Sequence, residues 1–139
     1  MAIIATEGPR FSAVVEREYA PADGFCRDAV VYNGTAVAQL PVGTVLGKVT
    51  ATGKYKIAVQ TATDGSQNAA AVVIADLNGH SGYQTTVLNT DLTMLAMTRG
   101  PVILKKAGLQ IDASFNTPTL VAGVYAQLTA LGMIPETSI

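Results

Sequence analysis

Glycines and lysines recur in the run GTVLGKVTATGK, which begins at Gly43, and such residues could form a loop that binds nucleotide phosphates. A phosphate-binding P-loop needs four residues between its first glycine and its Gly-Lys pair, followed by a Ser or Thr that binds Mg²⁺. Three residues lie between Gly43 and the pair Gly47-Lys48, and five precede the next such pair. Valine and tyrosine follow the two pairs, so spacing and ligand chemistry both argue against a P-loop.

The same run fits a β-hairpin. Thr, Val and Leu before Lys48 are strand formers, residues 51–54 contain a glycine suited to a tight turn, and Tyr55, Ile57 and Val59 alternate on a return strand. We therefore interpret the stretch as two paired strands.

The only histidine, His80, follows Asp76 by four positions and precedes Ser81, so the three could imitate a hydrolase triad. Glycines flank the histidine, which predicts a surface turn where no third group orients a base. His80 and the only cysteine, Cys26, lie more than fifty positions apart, so no metal-ligand cluster is expected. The acidic residues are too dispersed to nominate a general acid and base. We predict no catalytic, metal or cofactor site.

Cys26 would need a nearby cation or helix N-terminus to lower its pKa and act as a nucleophile, and the adjacent Arg27 is thin support. We expect instead a free thiol packed where an N-terminal arm joins the domain. A single cysteine forms no internal disulfide, which favours folding in a reducing cytoplasm.

The composition bounds the class of protein. A length of 139 residues suits one domain, while 49% hydrophobic and 14% charged residues suggest that a partner covers part of the surface. The formal net charge is −1 and the nine Lys and Arg residues are scattered, unlike the basic patch of a nucleic-acid binder. Neither a signal peptide nor a membrane span is expected, because basic residues and a long apolar run are missing near the start. A protein partner is favoured.

The first residues differ from the rest in carrying Pro9, Pro21 and most of the early charge. We interpret residues 1–27 as an N-terminal arm and residues 28–139 as a β-rich domain. Phe11, Val14 and Val15 could form one extended piece that becomes ordered only when it docks, since an isolated segment cannot offset its ordering entropy. Such an arm could bind by strand addition, and the alternative is a frayed terminus without a role.

From residue 28 onward, short β-branched segments alternate with turn residues, which is typical of a small all-β barrel or sandwich. The predicted strands lie near 28–32, 43–50, 54–59, 69–76, 84–88, 92–98 and 101–105. One helix should close the chain at about 118–131, with Thr117 as N-cap, Pro118 in the first turn and Gly132 after the end. Its apolar stripe, expected to pack on the β core, consists of Leu120, Val124, Leu128 and Leu131.

The run VGTVLGKVTATGKYKIAVQTATDGSQNAAAVV, residues 42–73, resembles the head decoration proteins of tailed bacteriophages, the family of the phage lambda capsid-stabilising protein. Those proteins often show a hairpin of this type, a D-G-S turn, a small-residue strand, an R-G-P-like turn and a closing helix. The counterparts here are residues 42–55, 64–66, 69–75, 99–101 and the helix. The similarity spans roughly residues 25–135, and an insertion at 76–89 departs from the shorter members.

The resemblance implies a β-clip or β-tulip fold: a mainly β barrel with one C-terminal helix and an extended N-terminal arm. It implies a trimer at three-fold positions on the outer surface of the expanded phage head, where it bridges subunits of the major capsid protein. Such a virion protein, made in the host cytoplasm, is not an enzyme and needs no cofactor, nucleic acid or membrane. The residues expected to contact the capsid are Thr6, Glu7, Pro9, Phe11, Val14 and Val15.

Two other functions stay open at this point. Related β-clip architectures can place catalytic sites between subunits, so a trimeric enzyme such as a nucleotide hydrolase is one alternative, although clustered Asp, Ser and Gln at nucleotide-binding spacing are missing. Another virion surface module, such as a glycan-binding protein, is the second. The absence of tryptophan and the 6% content of aromatic residues weaken it, because sugar recognition usually uses aromatic faces.

Overall fold

The computed structural model of the protein describes residues 11–33, 39–76, 83–85 and 91–137. The elements in chain order are α1 (Phe11–Val14), β1 (Val15–Glu18), a 3₁₀ turn (Pro21–Asp23), β2 (Arg27–Tyr32), β3 (Gln39–Pro41), β4 (Val45–Lys48), β5 (Tyr55–Ile57), β6 (Ala69–Asp76), β7 (Tyr83–Thr85), β8 (Leu92–Met97), β9 (Val102–Lys105), a second 3₁₀ turn (Lys106–Gly108), α2 (Pro118–Ala130) and β10 (Met133–Glu136).

Five strands close into a barrel in the order β2-β5-β4-β6-β8. The longest ladder joins β2 and β8, which pair antiparallel from Arg27↔Met97 to Tyr32↔Leu92. The barrel closes where β2 meets β5 in parallel, through Tyr32↔Tyr55. This architecture and the C-terminal helix α2 confirm the predicted small, mainly β fold.

Two smaller sheets accompany the barrel. In one, β9 lies between β1 and β10, with β1 antiparallel and β10 parallel to it. In the other, β3 pairs antiparallel with β7. The three-stranded sheet therefore brings the start of the chain next to its end.

Each of the seven predicted strands overlaps an observed one, and residues 86–88 of the strand predicted at 84–88 lie outside the described residues. The strands that the sequence did not predict are β1, β3 and β10. β10 contains Pro135, which indicates a stop signal when it follows a helix. Its position at the edge of the sheet tolerates proline, because one side of an edge strand needs no N–H for the ladder.

Two buried clusters face opposite sides of the barrel wall. Alternate residues of the barrel strands, among them Val30, Ala71, Val73, Met94 and Ala96, form one cluster together with Leu46. Since successive side chains of a strand point to opposite faces, this set fills the barrel interior. The other cluster unites the outer face of β6 with α2 and with the sheet β1-β9-β10. β6 is apolar along its length because both of its faces are covered.

The helix begins and ends close to the predicted limits. The side chain of Thr117 accepts a hydrogen bond from the backbone N–H of Leu120 at 3.2 Å, and Gly132 has a φ of 89°, a left-handed conformation that suits glycine. Val124 and Leu128 are buried as predicted. The prediction for Leu131 was wrong: it ends the helix and is 38% exposed, because the chain turns there into β10.

Candidate interaction surfaces

The glycine-lysine run forms the hairpin β4–β5, whose register pairs Leu46 with Ile57, as predicted. Gly47 sits at an irregularity in the pairing of β4 with β6. A Cβ atom on Gly47 would lie 1.8 Å from the carbonyl oxygen of Ser66. The close approach of two backbone segments explains this glycine, without any role in phosphate binding.

Cys26 is fully buried between the start of the chain and β9. Its Sγ lies 3.7 Å from the carbonyl oxygen of Tyr19 and 3.6 Å from that of Pro101. Burial raises the pKa of the Cys26 thiol, which disfavours the nucleophilic thiolate. The residue is thus a packed free thiol, as the sequence predicts, and it contacts two segments that are far apart in the chain.

The other residues considered for chemistry lie at the limit of the structure. His80 and Ser81 are outside the described residues, and Asp76 ends β6. The part of the chain that the structure describes contains no group of three or more His, Cys, Asp or Glu side chains that could hold a metal ion. Among the same residues, no helix has the length and apolar character needed to cross a bilayer.

Asp64 organises the turn between β5 and β6. Its Oδ1 accepts hydrogen bonds from the backbone N–H and the hydroxyl of Ser66, at 3.1 and 2.5 Å, and its Oδ2 lies 2.6 Å from Nζ of Lys56. The bond from Lys56 and those from Ser66 hold the pKa of Asp64 well below its ordinary value. The hydroxyl of Thr98 and the guanidinium of Arg99 likewise lower the pKa of Asp28.

We expect acid to destabilise the fold below about pH 4, the ordinary range of an aspartate pKa. A lowered folded-state pKa means that the stabilisation is complete above the unfolded-state pKa and is lost as the pH falls through the folded-state value. The urea midpoint should therefore drop between about pH 7 and about pH 3. Asp64→Asn should lessen this drop, whereas an unchanged drop in the variant would contradict the contribution of Asp64.

Of the predicted capsid contacts, Thr6, Glu7 and Pro9 lie outside the described residues, and Phe11 begins α1. The structure corrects the expectation that residues near Phe11 form one free extended piece. A helical turn precedes β1, and Val14 and Val15 are 0% and 6% exposed within this chain's own core. Capsid contact through these two valines would require them to leave that core.

The segment that holds the two valines is firmly attached to the domain. β1 pairs with β9 from Val15↔Leu104 to Glu18↔Val102. Just before it, the carbonyl oxygen of Ala13 lies 2.0 Å from the position of a Cβ on Gly108, a closeness that only glycine permits. The chain is thus docked from the α1 turn onward, so any arm free to leave the domain consists of residues before Phe11.

A second surface surrounds the turn that joins β8 to β9, residues 99–101. Among the described residues, all four exposed large hydrophobic side chains lie beside this turn, and we call them the turn patch: Tyr19, Phe25, Leu131 and Ile134. The backbone N–H of Tyr19 donates to the carbonyl oxygen of Pro101 at 3.0 Å, and the N–H of Gly100 donates to that of Leu131 at 2.9 Å.

The rings of the turn patch hold one another. The Tyr19 and Phe25 rings meet edge to face with centroids 5.6 Å apart, and the Arg99 guanidinium lies 5.5 Å from the centroid of Phe25. A groove of about 420 Å³ adjoins them, with Ile103 and Ile134 in its lining. Exposed aromatic and arginine side chains beside an apolar groove are typical of surfaces that bind another protein.

The fold and these surfaces define a small β-barrel protein of the kind that assembles with other proteins. The family model of the bacteriophage lambda head decoration protein D matches residues 6–133, and the chain belongs to this family. It is therefore a bacteriophage head decoration protein, a structural component of the virion capsid. No curated protein gives a significant match.

The turn patch was missed at the level of the sequence. Tyr19 and Phe25 fall in the segment interpreted as an arm, and Ile134 follows the helix, so nothing local indicates that they meet. One signal was available, because the similarity to the family includes the R-G-P-like turn around which they gather.

Proposed function

We propose that this decoration protein is a cement protein, which binds the outer surface of the expanded head at three-fold positions as a trimer. It stabilises the shell by bridging subunits of the major capsid protein, and it is made in the host cytoplasm before it joins the head. The observation that carries the proposal is the match of the decoration-protein family over residues 6–133.

The arm that binds the capsid is residues 1–10 in this proposal, with Thr6, Glu7 and Pro9 among its contacts. Ten extended residues reach about 33 Å, enough to cross onto a neighbouring capsid subunit. Phe11 stands at the root of the arm, and Val14 and Val15 serve as its anchor rather than as its contacts. Their burial supports this division of roles.

The anchor explains how force would pass from the arm to the domain. β1 follows the arm and lies antiparallel to β9, the central strand of its sheet. A pull on the arm directed along β1 loads all the hydrogen bonds of this ladder together. In addition, Val14 belongs to the same buried cluster as Leu104 and Leu128, so the load spreads into the outer core.

Multivalency supports a cement role. A trimer carries three arms, and the release of one arm leaves the others to hold the domain near its site. Linked contacts of this kind raise the overall affinity by about 10²- to 10⁴-fold over a single contact. The formal net charge of −1 also suits an outer position, away from the packaged DNA.

Removal of residues 1–10 tests the proposal. Because the docked structure begins at α1, we expect the shortened chain to keep its thermal midpoint. Its affinity for purified heads that lack the decoration protein should fall by about a hundredfold or more, the loss expected when linked contacts are removed. Sedimentation of the chain with heads measures the binding.

A matched control replaces residues 1–10 with ten alternating Gly and Ser residues, which restores the length without the side chains. We expect this variant to bind as weakly as the shortened chain. If either variant binds heads like the full chain, the arm is not the capsid-binding element.

A further inference from the structure

The turn patch lies far from the root of the arm. β1 runs antiparallel to β9, so α1 stands near the end of β9 at Lys105, while Tyr19 stands near Pro101 at the other end. Four residues of strand separate these ends, a distance of about 13 Å. If the arm binds the capsid, the turn patch is left for a different partner.

The charges around the turn patch are largely balanced within the chain. Arg27 donates two hydrogen bonds to the carboxylate of Glu18, at 2.8 and 2.7 Å, and Arg99 forms an ion pair with Asp28 at 2.7 Å. A surface with one dominant sign of charge repels a copy of itself, whereas these paired charges cause little repulsion between identical chains. The balance suits a second copy better than a strongly charged partner.

We propose that the turn patch is the contact between copies of this chain, a deeper account of the trimer that rests on the proposed function. Phe25, Tyr19 and Ile134 of one copy pack against the next copy, and the groove beside Ile103 receives an apolar side chain from it. In a ring of three copies each patch meets a surface of its neighbour in the same way, so the assembly closes and no patch stays exposed to water.

The oligomeric state of the full chain in solution tests this inference. Sedimentation equilibrium over a range of concentrations should show a mass of three chains for the wild type. Phe25→Ser and Ile134→Lys each remove exposed apolar surface and should raise the concentration at which trimers dissociate by about tenfold or more. Both side chains are substantially exposed, so thermal unfolding should show intact domains.

Thr61→Lys is the matched control, because it places a lysine on an exposed turn outside the turn patch and should assemble like the wild type. Patch variants that form trimers as readily as the wild type would overturn the inference. A wild-type chain that stays monomeric at every concentration would do the same. So would loss of trimers on removal of residues 1–10, since the arm would then form the contact.

Head binding is measured on the same proteins and separates the two proposals. A chain that assembles through the turn patch but does not bind heads contradicts the cement role alone. A chain that binds heads while its patch variants assemble normally contradicts the assembly role of the patch alone.

Discussion

Val14→Asp is expected to unfold the domain rather than merely weaken its binding to capsids. Val14 is 0% exposed and packs in the cluster that joins β1 and β9 to α2. An aspartate there would leave a charge buried without a partner, which costs about 3 to 5 kcal/mol, a large part of the stability of a domain of this size. Urea unfolding followed by circular dichroism measures the loss.

Glu16→Asp provides the control, since Glu16 is exposed on the neighbouring strand β1 and keeps its charge in the variant. Its urea midpoint should stay within error of the wild type. If Val14→Asp retains the wild-type midpoint but fails to bind heads, Val14 is a capsid contact, as the sequence first suggested, and not a core residue. The experiment therefore separates the anchor from the arm.

Gly47→Ala is expected to cost about 3 kcal/mol, at the upper end of the usual effect of overpacking. Its Cβ would lie 1.8 Å from the carbonyl oxygen and 2.7 Å from Cα of Ser66. Both atoms belong to the backbone, so no side chain can rotate to make room. The hairpin must separate from the turn at Asp64–Ser66, and the pairing of β4 with β6 weakens.

Gly123→Ala is a matched substitution with the opposite sign. Gly123 lies in α2, and a Cβ there meets nothing within 4 Å. Alanine should stabilise the helix by about 0.5 to 1 kcal/mol, because it loses less backbone freedom on folding than glycine does. Equal thermal midpoints for Gly47→Ala and the wild type would contradict the assigned role of Gly47, and a destabilising Gly123→Ala would contradict the open space at that position.

The elements that the sequence predicted correctly are those with local signals. The β4–β5 hairpin combines alternating apolar residues with a glycine turn, and α2 begins with Thr117 and Pro118, which favour a helix start whatever surrounds them. The resemblance to decoration proteins rested on the same run of residues, and the family match confirms it.

The elements that were missed depend on contacts between distant segments. β1 is a strand because β9 offers it a partner, and the ladder joins residues such as Val15 and Leu104 that are far apart in the chain. β10 likewise exists because it lies beside β9, in spite of Pro135. An isolated four-residue segment of either kind cannot offset its own ordering entropy, so its sequence alone carries little sign of a strand.

Local order thus settled the hairpin, the closing helix and the family of this chain, because turn chemistry, capping and alternation act between residues that are close in sequence. Tertiary packing settled where the arm ends and which residues meet around Gly100. The reason is physical: burial of Val14 and the gathering of Tyr19, Phe25 and Ile134 arise from the free energy of contacts across the whole fold, which no short stretch of sequence contains.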